Sequence, residues 1–263
     1  MIRTEQHGDV TRYEFAGWRN RVVKLSVSIF ELRGVWIDTG FPRAAPAVRD
    51  LLTAQRPRGV LITHRHEDHA GNAELLASHG IPLGMPVATA GALAAPLAVG
   101  LYRRQTWGAP PPLRSPVTAF APNDLELRPT PGHSEDHHVV WDPSTGTLFS
   151  ADLFIGVKVS VAHSYEDPRR IVQSLLTAAS WVPSRMFDAH RGLVKDPVKA
   201  LLAKADWLAS TIGRIDDHID AGLPDREIAR RMLAKFDLWG AMSFGDYSQL
   251  NFVAAVRRGR PPR

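Results

Sequence analysis

The sequence predicts an α/β fold, and three observations carry it. Short apolar, β-branched runs bounded by Pro or Gly recur along the chain. Stretches with apolar residues at helical spacing separate them. The residue types that do chemistry stand where those runs end, which is where α/β folds place their sites. Taken in order, Arg21 to Phe30 alternates through Val23, Leu25, Val27 and Ile29, the period of a half-buried strand, and Gly34 to Ile37 follows as another. Arg43 to Gln55 is predicted helical. Arg58 to Thr63 reads as a short buried strand bounded by Pro57. Ala70 to His79 reads as a helix, with Leu75, Leu76 and His79 at helical spacing and Gly80 as its stop. A short strand near Pro86-Val87-Ala88 and a helix from Gly91 to Leu101, despite Pro96, end the first half.

From Val117 the cycle resumes, with strands near 117–120, 124–129, 137–142 and 147–151. Asp142-Pro143-Ser144-Thr145-Gly146 reads as a hairpin turn. A helix near 168–181 and a strand at 185–189 close the second half. Asp196 to Ala221 is a long amphipathic helix with Leu201, Leu202, Ala205, Leu208, Ile212 and Ile215 on one stripe. Leu223-Pro224-Asp225 opens a helix over 225–235. Gly245-Asp246-Tyr247 opens another over 247–258, carrying Leu250, Val253 and Val256. No short-period repeat is visible.

The chemistry is concentrated in Thr63-His64-Arg65-His66-Glu67-Asp68-His69-Ala70-Gly71. Three histidines and a carboxylate fall at the spacing H-x-H-x-D-H. Protonated imidazoles packed together repel, and neutral ones need partners. A bound cation removes both problems by taking neutral imidazole nitrogens and carboxylate oxygens as ligands. His64 and His66 follow a strand two residues apart, so they point to one side. Asp68 and His69 fall at the turn into the next helix. A catalytic zinc needs about three protein ligands and an open position, so this run can begin two sites. Three later places supply further groups: His133 in Thr130-Pro131-Gly132-His133-Ser134, Asp152 in Phe149-Ser150-Ala151-Asp152, and His190 in Asp188-Ala189-His190. All three stand at the C-terminal end of a strand-like run.

These motifs, in this order, resemble the metallo-β-lactamase superfamily, over roughly 38 to 190. Trp36-Ile37-Asp38-Thr39-Gly40 is also similar to that family's early I-D-x-G turn. The resemblance implies a four-layer αβ/βα sandwich with the metals at one edge between the sheets. By it, His64, His66 and His133 hold one metal, Asp68, His69 and His190 the second, and Asp152 bridges them. The cofactor implied is two zinc ions, with iron or manganese as alternatives. His66 stands where the di-iron flavoprotein branch usually has Glu, which favours a zinc hydrolase. Ala189-His190-Arg191 departs from the Gly-His-Gly of many relatives, so Arg191 either influences substrate charge or faces solvent. Ser134-Glu135-Asp136-His137 is similar to the β-lactamase-like-protein-2 and glyoxalase II-like branches. So is the C-terminal region, as a helical, winged-helix-like extension. The domains expected are therefore 1–222, metallo-β-lactamase-like, and 223–263, a small helical extension with a basic tail.

The chemistry expected is hydroxide attack at a carbonyl or phosphoryl centre. Two cations about 3.5–4 Å apart share a water and lower its pKa toward neutrality. Asp68 is the expected catalytic residue, ligating metal and orienting the nucleophile, with His137 expected as a hydrogen-bond donor behind the ligands. His138 reads as an ordinary strand residue. The leading function is a dinuclear zinc hydrolase of a thioester, ester or lactone. The alternatives are a metal-dependent endonuclease of single-stranded RNA, a mononuclear iron dioxygenase and a metal-stabilised binding module.

Composition narrows the classes. The chain has 263 residues, 44% of them hydrophobic, enough for one large domain or a domain with an appendage. No apolar run approaches the length of a membrane span, and Met1-Ile2-Arg3-Thr4-Glu5 lacks the apolar core of a signal peptide. With no cysteine, disulfides and thiolate ligands are excluded, and a cytoplasmic location is expected. The formal charge of +5 favours an anionic small-molecule substrate, with RNA as the other partner class. Homo-oligomers are common in such folds, but nothing in the sequence marks an interface. Arg257, Arg258, Arg260 and Arg263, with Pro261 and Pro262, read as a solvated basic tail. Two segments are expected to shape substrate choice. In 100–116, Tyr102, Arg103, Arg104 and Trp107 beside Pro110-Pro111-Pro112 either lie over the metals or form a connector. In the C-terminal part, Lys235, Tyr247 and Arg257 are the candidates to reach the cleft.

Overall fold

The computed structural model describes residues 2–16, 26–233 and 236–260. The first sheet has six strands in sequential order: β1 (Ile2–His7), β2 (Val10–Phe15), β3 (Val27–Leu32), β4 (Val35–Ile37), β5 (Gly59–Leu61) and β6 (Leu83–Gly84). Neighbours from β1 to β4 pair antiparallel; β4–β5 and β5–β6 pair parallel. The second sheet runs β12 (Gly192–Val194), β11 (Arg185–Asp188), β9 (Thr147–Phe149), β8 (His138–Asp142), β7 (Glu126–Pro129). In it only β11–β9 is parallel.

The alternation of side chains along each strand builds four layers. Phe30, Leu32, Val35, Ile37 and Leu61 face inward from the first sheet. They meet Val140, Phe149 and Phe187 from the second, in one apolar cluster between the sheets. The residues next to them, Ile29, Trp36, Val60 and Ile62, point the other way. They pack with α1 (Ala45–Ala54) through Val48, Leu51 and Leu52. Val139, Trp141, Leu148 and Met186 do the same on the second sheet. They meet α6 (Pro168–Ser180) and α7 (Pro197–Asp220) through Leu175, Ala178, Leu201 and Ala205. Each large apolar side chain buried in this way stabilises the fold by roughly 1.5–3 kcal/mol.

The short helices α2 (Glu67–Ala70), α3 (Ala73–Ser78), α4 (Val87–Ala94) and α5 (Leu101–Thr106) follow, and Ala70, Ala73, Leu76 and Leu93 pack in the same cluster as α1. The C-terminal region is helical: α8 (Asp225–Met232), α9 (Leu238–Met242) and α10 (Gln249–Arg258). Ile228, Phe252, Val253 and Val256 from this region share a cluster with Val172 of α6 and Leu208, Ile212 and Ile215 of α7. A two-stranded ribbon, β10 (Ala162–His163) with β13 (Tyr247–Ser248), joins the same region to the loop before α6. No helix among the described residues is long and apolar enough to cross a membrane.

Several expected elements differ. The strand expected from Arg21 is described only from Val27, since 17–25 lie outside the described residues, as do Lys235 and the last three residues of the tail. The hairpin of β1 and β2, turning at Gly8 with φ +65°, was not expected. The strand expected at 86–88 is the start of α4, and the nearby strand is Leu83–Gly84. One helix over 91–101 is replaced by α4 and α5, parted around Pro96. The run 117–120 makes only an isolated bridge, Leu83 to Ala119. The helix over 70–79 is two short ones, α2 and α3. On α7 and α10, Leu202 and Leu250 are exposed rather than on the buried stripe.

Candidate metal centre

Each of the four first-motif groups leaves the first sheet just after β5. His64 and His66 lie on the extended stretch, and Asp68 and His69 lie on α2. His133 follows β7, Asp152 follows β9 and His190 follows β11, so the second sheet supplies the rest from three strand ends. All seven come together. His64, His66, His133 and Asp152 form one group and Asp68, His69 and His190 another. Within each group the ligand-type atoms lie within 4.8 Å of one another.

Asp152 joins the two groups. Its Oδ2 lies 3.1 Å from His133 Nε2, while its Oδ1 lies 3.2 Å from His69 Nε2 and 3.0 Å from His190 Nε2. Asp68 Oδ2 is 3.8 Å from His69 Nε2 and 3.7 Å from His190 Nε2. Of the seven, only His190 is more than marginally exposed. His64 Nε2, His69 Nε2 and Asp152 Oδ1 are buried with no hydrogen-bond partner. Sealing polar atoms away from water without partners is costly. Here the orphaned atoms all belong to the two ligand-type groups, where bound cations would satisfy them. His66 Nδ1 and His133 Nε2, 2.9 Å apart, point the same way. Two neutral imidazole lone pairs approach that closely only around a proton or a metal. The donor set, imidazole and carboxylate with no sulfur, fits zinc and other borderline divalent ions.

Neighbouring residues orient these ligand-type atoms. Asp38, in the turn after β4, accepts from the Thr63 amide and hydroxyl through Oδ1 (2.8 and 2.9 Å), and its Oδ2 lies 2.7 Å from His69 Nδ1. It holds φ +64° to do so. His190 Nδ1 donates to the Ser26 carbonyl at 2.7 Å. His137 Nδ1 donates to the Thr130 carbonyl, which leaves Nε2 to accept the Asp152 amide at 3.2 Å. The donor role expected of His137 is thus directed to Thr130, while toward the site it accepts and places Asp152. Asp188, buried at the end of β11, accepts the His190, Arg191 and Ile155 amides and fastens the two loops together.

The charges are tightly interdependent. Burial, then the neighbouring imidazoles of His69 and His137, holds His64 well below the ordinary histidine pKa. Burial and the Arg103 guanidinium do the same to His66. Burial opposes protonation of His133 and His190 too, but carboxylates prevail. Glu166 and Asp152 push His133 up to about 9, and Asp152 and Asp68 push His190 up to about 9. Asp152 is held well below the usual carboxylate range against its burial by His69 and His190.

The flanking segments divide. Arg103 reaches the site: its guanidinium forms a buried ion pair with Glu67, the residue between His66 and Asp68. Trp107 packs in the core against Phe41, its ring 5.2 Å from that ring and 6.4 Å from the ring of His190. Arg104 is exposed. Tyr247 lines a cavity with His133 and Asp152, and its ring lies 4.8 Å from that of His163. Arg257 turns away to pair with Asp225 at 2.7 Å, and Arg191 lies exposed over Gly156. His138 is an ordinary strand residue of β8.

Sequence reasoning missed three polar residues. Asp136 accepts from the Arg65 amide and side chain, Thr89 and Ser134, tying the two His-bearing loops together. Tyr165 places its hydroxyl 2.8 Å from His66 Nε2. Lys204, on α7, is buried and donates to the Leu153 and Phe154 carbonyls just after Asp152. Two signals were visible: Asp136 stands in the Ser134-Glu135-Asp136-His137 run, and Lys204 falls inside an amphipathic stripe.

Known proteins resemble this chain in sequence pattern and in fold. The metallo-β-lactamase superfamily pattern matches residues 34–206. A stretch of 127 residues is 33% identical to a hydroxyacylglutathione hydrolase from Hahella chejuensis, covering 43% of this chain. The match spans only 44% of that relative's length. Among solved structures, a metallo-β-lactamase from Pontibacter korlensis superposes with a TM-score of 0.60 at 18% identity, covering 80% of this chain and 99% of its own. A metallo-β-lactamase family protein from Thermus thermophilus gives 0.61 at 17% identity, covering 89% and 88%. At such identities the structures attest the fold. Together with the family match across two-thirds of its length, they show that the chain belongs to the metallo-β-lactamase superfamily.

Proposed function

We propose that this protein is a metal-dependent hydrolase that holds two zinc ions and cleaves a carbonyl substrate, a thioester, ester or lactone. The observation that carries this is the Asp152 carboxylate, one oxygen turned to each of two adjoining ligand groups. In this reading His64, His66 and His133 hold one ion, Asp68, His69 and His190 the other, and Asp152 bridges. A metal pair held there supplies a water deprotonated near neutral pH and polarises the carbonyl it faces.

The chain's own residues do the rest. Asp68 orients the attacking water, since it alone of the second group is a carboxylate that does not bridge. Asp38 and the Ser26 carbonyl set His69 and His190 with Nε2 toward the ions. Burial of the ligand groups excludes bulk water and strengthens every charge interaction in the site. The partial likeness to hydroxyacylglutathione hydrolase supports an acyl substrate. The net charge of +5 supports an anionic one.

The test is metal analysis of the purified protein, followed by a panel of thioester, lactone, phosphodiester and β-lactam substrates with the zinc-loaded form. Two equivalents of zinc and turnover of an acyl compound are expected. Cleavage of RNA with no acyl turnover would overturn the substrate assignment. One bound iron with oxygen consumption would overturn the reaction.

A further inference from the structure

Tyr165 stands just before α6, 42% exposed, at the edge of the ligand group. Its hydroxyl has two neighbours. His66 Nε2 lies 2.8 Å away and Arg103 Nη1 lies 3.0 Å away. The hydrogen-bonding roles follow from the chemistry of each. A guanidinium only donates. His66 turns Nδ1 toward His133, so Nδ1 is the atom available to an ion. A neutral imidazole bound through Nδ1 carries its one proton on Nε2. Both neighbours therefore donate to Tyr165 Oη, and both lone pairs of that oxygen are filled. The phenolic proton is left over, and no acceptor for it exists among the described residues.

The surroundings fix this arrangement. The Tyr165 ring stacks on His163, centroids 5.3 Å apart and nearly parallel, and the Arg65 guanidinium lies 5.7 Å from its centroid. Arg103 cannot swing away freely, because the rest of its guanidinium is held by the buried Glu67 carboxylate. The same tyrosine lines a cleft of about 300 Å³ with Gly132 and Ser134, the two residues flanking His133. The O–H thus borders the ligand group, on a residue that is itself part-exposed and also lines the neighbouring cleft.

We propose that Tyr165 is a substrate-contacting hydrogen-bond donor, its O–H directed to an oxygen acceptor of the ligand by His66 and Arg103, with Arg103 as the positioning residue. The ligand class is one that presents a carbonyl or carboxylate oxygen beside the metal centre. This deepens the hydrolase reading and rests on its assignment of His66 as a ligand through Nδ1.

The experiment titrates acetate, a minimal carboxylate, into cobalt-loaded wild-type, Tyr165→Phe and Arg103→Lys proteins, followed by the visible bands of the metal. In parallel, ¹⁵N-histidine spectra of the zinc-loaded wild type read which nitrogen of His66 carries the proton. The expected results are a proton on Nε2 and acetate bound about tenfold more weakly by Tyr165→Phe, the size of one hydrogen bond. Metal content should be unchanged. Arg103→Lys keeps a cation beside Glu67 but gives up the second donor, and should weaken acetate in the same direction. Equal acetate affinity in wild type and Tyr165→Phe, no acetate binding by the wild type, or a proton on His66 Nδ1 would each overturn the proposal. A wild type that hydrolyses nothing yet shows the acetate difference would remove the hydrolase reading and leave the donor. Hydrolysis without the difference would do the reverse.

Discussion

Asp38 Oδ2 lies 2.7 Å from His69 Nδ1, and the other oxygen of the same carboxylate takes the Thr63 amide. One side chain from the turn after β4 thus sets both the direction of a proposed ligand and the start of the motif that carries it. Asp38→Ala should lower zinc affinity by about 10–100-fold, the range for groups that orient metal ligands. Chelator competition measures it, and an unchanged affinity would remove Asp38 from the site's support.

The proposed ligands themselves should be harsher positions for function than for folding. His66→Ala and Asp68→Ala are expected to abolish turnover while leaving circular dichroism spectra like those of the wild type. Each removes a group from the edge of the sandwich, not from its apolar clusters. Full activity in Asp68→Ala, or in metal-stripped protein, would sink the mechanism.

The pH dependence has a definite sign. His133 and His190 are pushed up to about 9 in the folded, metal-free chain, against about 6.5 for a free imidazole. Their contribution to stability is fully present below about pH 6.5 and is lost as pH rises through about 9. An ion must displace those protons. Zinc binding at pH 7 should therefore release protons, and apparent affinity should climb with pH until about 9. Calorimetric titrations in buffers of differing ionisation enthalpy count the protons, and a count of zero would contradict the ligand roles.

Gly71 ends the first motif where no side chain fits. A Cβ there would meet the Glu67 carbonyl at 2.2 Å and Pro42 Cδ at 2.4 Å. Gly71→Ala should cost about 1–3 kcal/mol through forced displacement of α2 from Pro42. Chemical denaturation of the metal-free protein checks this, and a midpoint equal to that of the wild type would show that the contact relaxes freely.

Much of the site was legible because its residues stand at strand ends, and strand ends are marked locally. Leu61, Phe149 and Phe187 all precede ligand-bearing turns and all pack between the sheets. The elements that escaped were those whose signal is tertiary. In β2, Arg12 is buried, where it pairs with Glu5 and Glu14 and meets Ser28. A charged residue in the interior position hides the alternation. Val87 read as a strand residue, but it is highly exposed on α4, where the Ala-rich run favours helix. β10 and β13 are two residues each and 85 positions apart at their first residues, so no window of sequence contains the pair. The link from Arg103 through Glu67 to the motif is likewise a meeting of distant segments, which spacing alone does not show.

The partnerless atoms at the heart of the ligand groups, His64 Nε2, His69 Nε2 and Asp152 Oδ1, also bear on how long the molecule lasts. A ligand that binds only the folded state adds stability in proportion to the logarithm of its concentration, about 4 kcal/mol at a thousandfold above its dissociation constant. Half-lives against proteolysis should then follow the free metal concentration. The same chain would be durable where the ion is plentiful and short-lived where it is scarce, so metal supply sets abundance as well as activity.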